Sequence, residues 1–145
     1  MHITRYTDYS LRVLMYVALK GEELSTIREI AESYDISRNH LMKVVQELNI
    51  KGYLTAIRGK NGGLRLRGRP EEINLGELVR RTEQDLTLVE CFGSGSQCAL
   101  TPACQLKVVL GEALEAFFRV LDSYTLADLV HPDNAREMKQ LLRLP

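Results

Sequence analysis

The stretch "STIREIAESYDISRNHLMKVVQELNIKGYLTAIRGKNGGLRLRGRP", residues 25 to 70, decides the fold, because three local patterns follow one another within it. Ile27, Ile30 and Ala31 fall on one helical face behind Ser25 or Thr26 as the cap, and "SYDI" makes a tight turn. Ser37 then caps a second helix in which Leu41, Val44, Val45 and Leu48 follow the i, i+3, i+4, i+7 rule and form the inward stripe. Next come β-prone runs, Tyr53 to Ile57 and Leu64 to Leu66, on either side of "RGKNGG", which read as a hairpin with Lys60 and Asn61 at its tip. Two short helices followed by a basic hairpin are the plan of a winged helix-turn-helix. The expected fold is therefore mainly α with a small β-hairpin.

The chemistry of the outward faces agrees with that plan. The second helix turns Ser37, Arg38, Asn39, His40, Lys43 and Gln46 outward, and such side chains read base edges: Arg or Lys on guanine, Asn or Gln on adenine. Arg58, Lys60 and Asn61 on the hairpin suit an adjacent minor groove. The "GK" of the hairpin lacks the Ser or Thr and the helix that a nucleotide-binding loop needs after it. Net charge is zero but split, since residues 1 to 70 carry +5 and residues 71 to 145 carry −5. Between Arg38 and Arg69 eight basic residues stand against a single acid, Glu47, a distribution suited to a polyanion.

Outward from this stretch, "TDYSLRVLMYVAL" (residues 7 to 19) places Leu11, Leu14, Met15 and Ala18 at helical spacing, with Thr7 as cap, Asp8 in the first turn and Gly21 as the stop. Residues 1 to 70 form the expected DNA-binding domain, residues 71 to 104 a connecting helix capped by Asn74 and a cysteine loop, and residues 102 to 130 a long helix and a short one. Residues 131 to 145 read as a weakly ordered tail. In the long helix Leu106, Leu110, Ala113, Phe117, Val120 and Tyr124 form a heptad seam, and Leu114, Phe118 and Leu121 a second stripe. A winged helix of about 70 residues cannot cover both, so the seam predicts a homodimer. No apolar run approaches the roughly 18 to 20 residues of a membrane span, and the N-terminal residues lack a signal-peptide core, so the cytoplasm is the expected location.

All three cysteines lie in "CFGSGSQCALTPAC", residues 91 to 104. In a reducing compartment an odd thiol cluster favours a metal or redox site over a disulfide framework. Thr101 and Pro102 look like the cap and first position of the long helix, which puts Cys104 in its first turn, where the helix dipole favours thiolate. Gaps of six and five residues do not match the usual zinc spacing. A larger iron–sulfur cluster tolerates them but normally takes four ligands. Asp8, His2, His40, His131, acids near the loop and residues of a second subunit are all candidates for the fourth. No catalytic triad or nucleotide loop surrounds any polar group, so an enzyme is not expected.

The segments "TDYSLRVLMY", "SRNHLMKVVQEL", "GYLTAIRGKNGGLRL", "LTLVECF", "CALTPACQLK" and "LDSYTLADLV" closely resemble the NsrR branch of winged-helix repressors, relatives of the IscR-type iron–sulfur regulators. The resemblance spans residues 1 to about 130. It implies a dimeric repressor that binds a palindromic operator while holding a cluster and releases it when nitric oxide destroys that cluster. It also implies Cys91, Cys98 and Cys104 as thiolate ligands, with Asp8 supplied by the partner subunit and Arg12 close by. A 4Fe-4S cluster is favoured, with 2Fe-2S left open. Two other readings share the thiols: an IscR-like sensor of iron or cluster supply, and a zinc or thiol-oxidation switch without iron.

Overall fold

The computed structural model describes all 145 residues. Helix α1 (Arg5–Lys20) runs through the middle of the molecule and packs on four neighbours: α3 (Arg38–Ile50), strand β2 (Gly63–Leu66), α4 (Leu75–Thr82) and α6 (Leu126–Leu129). That position corrects the single stripe expected of it. Val13, Leu14, Tyr16, Val17 and Leu19 are all buried, and Leu11, Met15 and Ala18 are half-buried against the same core. The cap is also corrected. Thr4 accepts the Thr7 amide, while Thr7 itself is buried and its hydroxyl donates to the Thr82 hydroxyl at 2.9 Å.

The helix-turn-helix forms as its local signals dictate. Helix α2 (Ile27–Tyr34) starts in a capping box, with Thr26 accepting from the Glu29 amide and Glu29 accepting from the Thr26 amide. It closes at Asp35, whose φ of +52° swings the chain toward α3. Ser37 occupies the cap position of α3 without making the side-chain bond expected of it. The inward stripe of α3 is Leu41, Val44, Val45 and Leu48, each buried in the common core with Ile30, Leu54 and Leu64.

Strand β1 (Leu54–Ile57) pairs antiparallel with β2, Leu54 opposite Leu66 and Ile57 opposite Gly63. Ser25 adds an isolated bridge to Leu64 on the other edge. The glycines of "RGKNGG" are dictated by close approach. A Cβ on Gly62 would lie 2.1 Å from the Ile57 carbonyl oxygen, and one on Gly63 2.8 Å from that of Ser25. A larger residue at Gly62 would force the hairpin turn open, and one at Gly63 would push β2 away from the Leu24–Ser25 segment.

Helix α4 follows its Asn74 cap, and the chain from Glu83 to Cys104 then has no helix beyond two single 3-10 turns, Glu90–Phe92 and Thr101–Ala103. The long helix α5 (Gln105–Asp122) begins after Cys104, so Thr101 and Pro102 start the 3-10 turn rather than α5, and Cys104 is the N-cap residue instead of a first-turn one. Tyr124 lies past the end of α5, where its carbonyl accepts from the Leu75 amide at 3.0 Å. The expected weak tail is ordered. Helix α7 (Pro132–Leu141) has proline at its first position, and Leu142 and Leu144 beyond it pack against the core.

Candidate nucleic-acid interface and thiol loop

Helix α3 and the hairpin after it present a concentration of exposed polar and basic side chains. On α3 the stripe that buries Leu41, Val44, Val45 and Leu48 leaves Arg38, Asn39, His40, Lys43 and Gln46 exposed, with Ser37 just before them. Arg58, Lys60 and Asn61 are exposed on the hairpin that follows. Arg38 approaches Glu32 of α2 at 3.6 Å, and Glu32 also takes Arg28 at 2.8 Å, so the α2 acid steadies the start of α3 without occupying Lys43 or the hairpin. Glu32 ionises more readily than an ordinary carboxylic acid because Arg28 and then Arg38 stand beside it. Met42, exposed on the same face and absent from the sequence reading, offers an apolar contact of the kind thymine methyl groups accept. Exposed methionine on a helix otherwise lined by donors was the available signal.

Behind this face α1 presents a connected polar group. Asp8 holds Arg12 through two contacts, 3.1 Å to Nε and 2.8 Å to a terminal nitrogen. The Arg12 guanidinium carbon sits 5.7 Å from the ring centres of both Tyr9 and Tyr34, within cation–π range. Tyr34, at the end of α2, donates its hydroxyl to the Arg12 carbonyl at 3.1 Å. Burial pushes that hydroxyl up to about 12, which keeps it a donor at neutral pH. Tyr9 in turn lies 6.1 Å, ring to ring, from His40 on α3. Asp8 and Arg12, taken from the sequence as neighbours of one site, thus belong to a cluster that touches both helices of the helix-turn-helix.

The start of α1 is tied to the start of the thiol loop, a link the sequence did not reveal. Glu83 accepts from the Thr4 amide and hydroxyl at 2.8 and 2.9 Å, one residue beyond the Thr7–Thr82 bond. Burial opposes ionisation of Glu83, but the neighbouring Thr7 hydroxyl and the two Thr4 hydrogen bonds outweigh it and hold the carboxyl below its ordinary value. Beyond it the loop is held by few contacts. The Gln97 amide donates to Glu90 at 2.7 Å, the Cys98 amide to Ser96 at 3.3 Å, and the Ser96 and Thr101 hydroxyls are 3.1 Å apart.

Cys91 and Cys104 are half-exposed, Cys98 is exposed, and none forms a disulfide. No three His, Cys, Asp or Glu side chains of this chain converge in metal-binding geometry, so the fold brings neither the three thiols together nor Asp8 to them. His2 lines a groove together with residues 85 to 89, His40 lies on α3 and His131 is the N-cap of α7. The donor chemistry nonetheless suits iron and sulfide. Three soft, unpaired, accessible thiols sit on a chain segment restrained by side-chain hydrogen bonds rather than by a packed core.

Along α5, Phe118 is buried and Leu114 and Leu121 half-buried, so the second stripe turns inward, with α5 packed on α4 and the Arg80 guanidinium over the Phe118 ring. Leu106, Ala113, Phe117, Val120 and Tyr124 of the seam are exposed, and Leu110 is half-exposed. The seam borders an apolar groove of about 750 Å³ lined by Ile3, Leu86, Leu88, Leu110, Phe117 and Phe118, among others.

Residues 3–132 match the family model Rrf2, described as an iron-dependent transcriptional regulator. The chain is 52% identical, over 99% of its own length and 97% of the relative's, to the HTH-type transcriptional regulator NsrR of Geobacillus kaustophilus. It is 52% identical to the regulator of the same name from Bacillus subtilis, with 99% of each covered. Among solved structures it is similar to T. potens IscR (TM-score 0.73, 25% identity, 96% of this chain and 91% of that one). It is also similar to CymR, the global cysteine regulator of B. subtilis (TM-score 0.71, 28% identity, 89% and 95% covered). The two NsrR relatives and CymR are all named as regulators. With its winged helix-turn-helix and a family match over nearly its whole length, the chain belongs to the Rrf2 family of transcriptional regulators.

Proposed function

We propose that the protein is a cytoplasmic, dimeric repressor that binds a palindromic operator while its cysteines hold an iron–sulfur cluster and releases it on exposure to nitric oxide. The observation that carries this reading is the junction of its two halves. The thiol loop starts where Glu83 and Thr82 grip the first turn of α1, and α1 carries Asp8, Arg12 and Tyr9 to the recognition helix.

Cys91, Cys98 and Cys104 would hold the cluster, 4Fe-4S favoured over 2Fe-2S, and Asp8 of the partner subunit would complete the set. When bound, the cluster supplies iron that nitric oxide attacks. The work of the protein lies in its own residues. Asp8 pairs with Arg12 in the chain and would be the residue to leave that pair for a ligand role, and Arg12, against Tyr9 and Tyr34, connects its position to α2 and α3. Arg38, Asn39, His40 and Lys43 read the major groove with Ser37 at the phosphate edge, and Arg58, Lys60 and Asn61 follow the minor groove. Leu106, Leu110, Ala113, Phe117, Val120 and Tyr124 form the dimer seam, because a contiguous apolar stripe on an exposed helix face is stable only when covered. Two half-sites one helical turn apart then match the two-fold symmetry.

The family description, iron-dependent, favours a second reading in which the same thiols report iron or cluster supply. One experiment separates the two. Protein purified without oxygen should be brown and should bind operator. Stoichiometric nitric oxide should bleach the spectrum and release the DNA within the mixing time. Release on iron chelation with no response to nitric oxide would favour the supply sensor, and a colourless protein that binds operator would exclude both.

A further inference from the structure

Residues 123 to 145 make a second connection between the long helix and the helix-turn-helix. After α5, Leu126 is fully buried and its amide donates to the Ile73 carbonyl at 2.8 Å, which fixes α6 against the body of the molecule. Helix α7 then runs to Leu141, where the chain turns back through Arg143 at φ +55°. The Leu144 amide donates to the Lys139 carbonyl at 2.9 Å and the Arg143 amide to that of Gln140 at 3.1 Å, a left-handed helix stop usually made with glycine. This turn sets Leu142 and Leu144 on the core, and the Leu142 carbonyl accepts from the Ser33 hydroxyl at 2.8 Å.

Ser33 lies in the last turn of α2, next to Tyr34 and four residues before Ser37, where the recognition helix begins. The strap therefore grips the turn that sets the direction of α3. Tyr34 anchors the same turn to α1 from the other side.

We propose that residues 131 to 145 act as a strap that positions the helix-turn-helix for operator binding, with Ser33, Leu142 and Leu144 as its positioning residues. Specific binding needs both recognition helices at the spacing of two half-sites. Apparent affinity falls in proportion to the fraction of molecules holding that arrangement. Binding to arbitrary DNA depends on phosphate neutralisation and is insensitive to it. The inference rests on operator binding as proposed above.

The test uses the full chain and an operator duplex selected from random sequence by the parent protein. The Leu142→Ser/Leu144→Ser variant should show faster hydrogen exchange at residues 34 to 37. It should bind the selected duplex about tenfold more weakly and a scrambled duplex within about twofold of the parent, at unchanged dimer mass. Leu142→Met/Leu144→Met should restore parent affinity. If the serine variant loses its cooperative melt, Ser33→Ala carries the test, with an expected loss of about two- to fivefold on the selected duplex alone. Faster exchange with unchanged operator affinity, unchanged exchange, or equal loss on both duplexes would overturn the strap. Failure of the parent to select any duplex would instead overturn operator binding itself.

Discussion

Helix α3, 13 residues long, and the thiol loop, residues 83 to 104, are held by opposite means. Every third or fourth residue of α3 is buried in a core shared with α1, α2 and the hairpin. From Glu83 to Phe117, in contrast, not one residue is buried. The face of α3 proposed to read DNA is thus set by packing within the chain, while the loop between Glu83 and Cys104 is held by hydrogen bonds to Glu83, Glu90 and Ser96. A packed element keeps its geometry whatever the second half does. A loop without a core can be rearranged at little cost, which suits a segment meant to respond to a signal.

The largest effect that could break this contrast is on stability. Leu48 is 0% exposed in α3, so Leu48→Ala should cost about 2 to 5 kcal/mol. Leu100 is 69% exposed, so Leu100→Ala should stay within about 0.5 kcal/mol. Urea melts of the two variants decide the point, and equal losses would mean that the loop carries a core of its own.

Next comes assembly. Phe117 is 42% exposed on α5, so Phe117→Asp should leave the fold of the chain intact while placing a carboxylate in an apolar dimer face at a cost of several kcal/mol. Light scattering should report a monomer. A persistent dimer of parent mass would remove Phe117 from the interface.

A smaller effect belongs to the hairpin. Lys60 is exposed and makes no ion pair within the chain, so Lys60→Ala should remove one phosphate contact. The slope of log affinity against log salt should fall by about 0.9 in magnitude. An unchanged slope in titrations from low to high salt would take Lys60 off the DNA.

Reading the sequence worked best where local pattern and tertiary role coincide. The α3 stripe, a cap at Ser25 or Thr26 for α2 and the glycine-rich hairpin follow from spacing and turn chemistry alone, and the structure settles the cap on Thr26. It failed where a distant contact decided the outcome. Thr7 looked like a cap, but its hydroxyl is used by Thr82, seventy-five positions away, and Thr4 caps instead. The C-terminal residues carry only a short apolar pattern, and their order comes from docking on Ser33 and the core. Cys104 moved from the first turn to the cap because Pro102 initiates a 3-10 turn that does not continue into α5. The thiols were legible as a group, but no local rule tells how a loop without a core folds.

The smallest expected effect tests the tie between the halves. Glu83 titrates below its ordinary value in the folded protein, so its contribution to stability is complete above the usual carboxylate range and is lost as pH falls through the lowered value. Glu83→Gln should flatten the acid side of the stability profile, leaving the protein slightly less stable than the parent at neutral pH and equal to it at low pH. An identical acid limb in both proteins would show that the Thr4 contacts do not depend on its charge.

The central claim is that Cys91, Cys98 and Cys104 share one role and Asp8 another, and it is tested most directly by iron and sulfide content measured beside operator affinity in single variants. Each Cys→Ala change removes a thiolate that water does not replace, so all three proteins should be colourless and bind operator weakly. Asp8→Ala should keep its colour with a shifted spectrum, respond to nitric oxide at an altered rate, and bind operator less tightly than the parent. Full cluster content and parent affinity in any one cysteine variant, or an Asp8→Ala protein indistinguishable from the parent in spectrum, rate and affinity, would contradict the account.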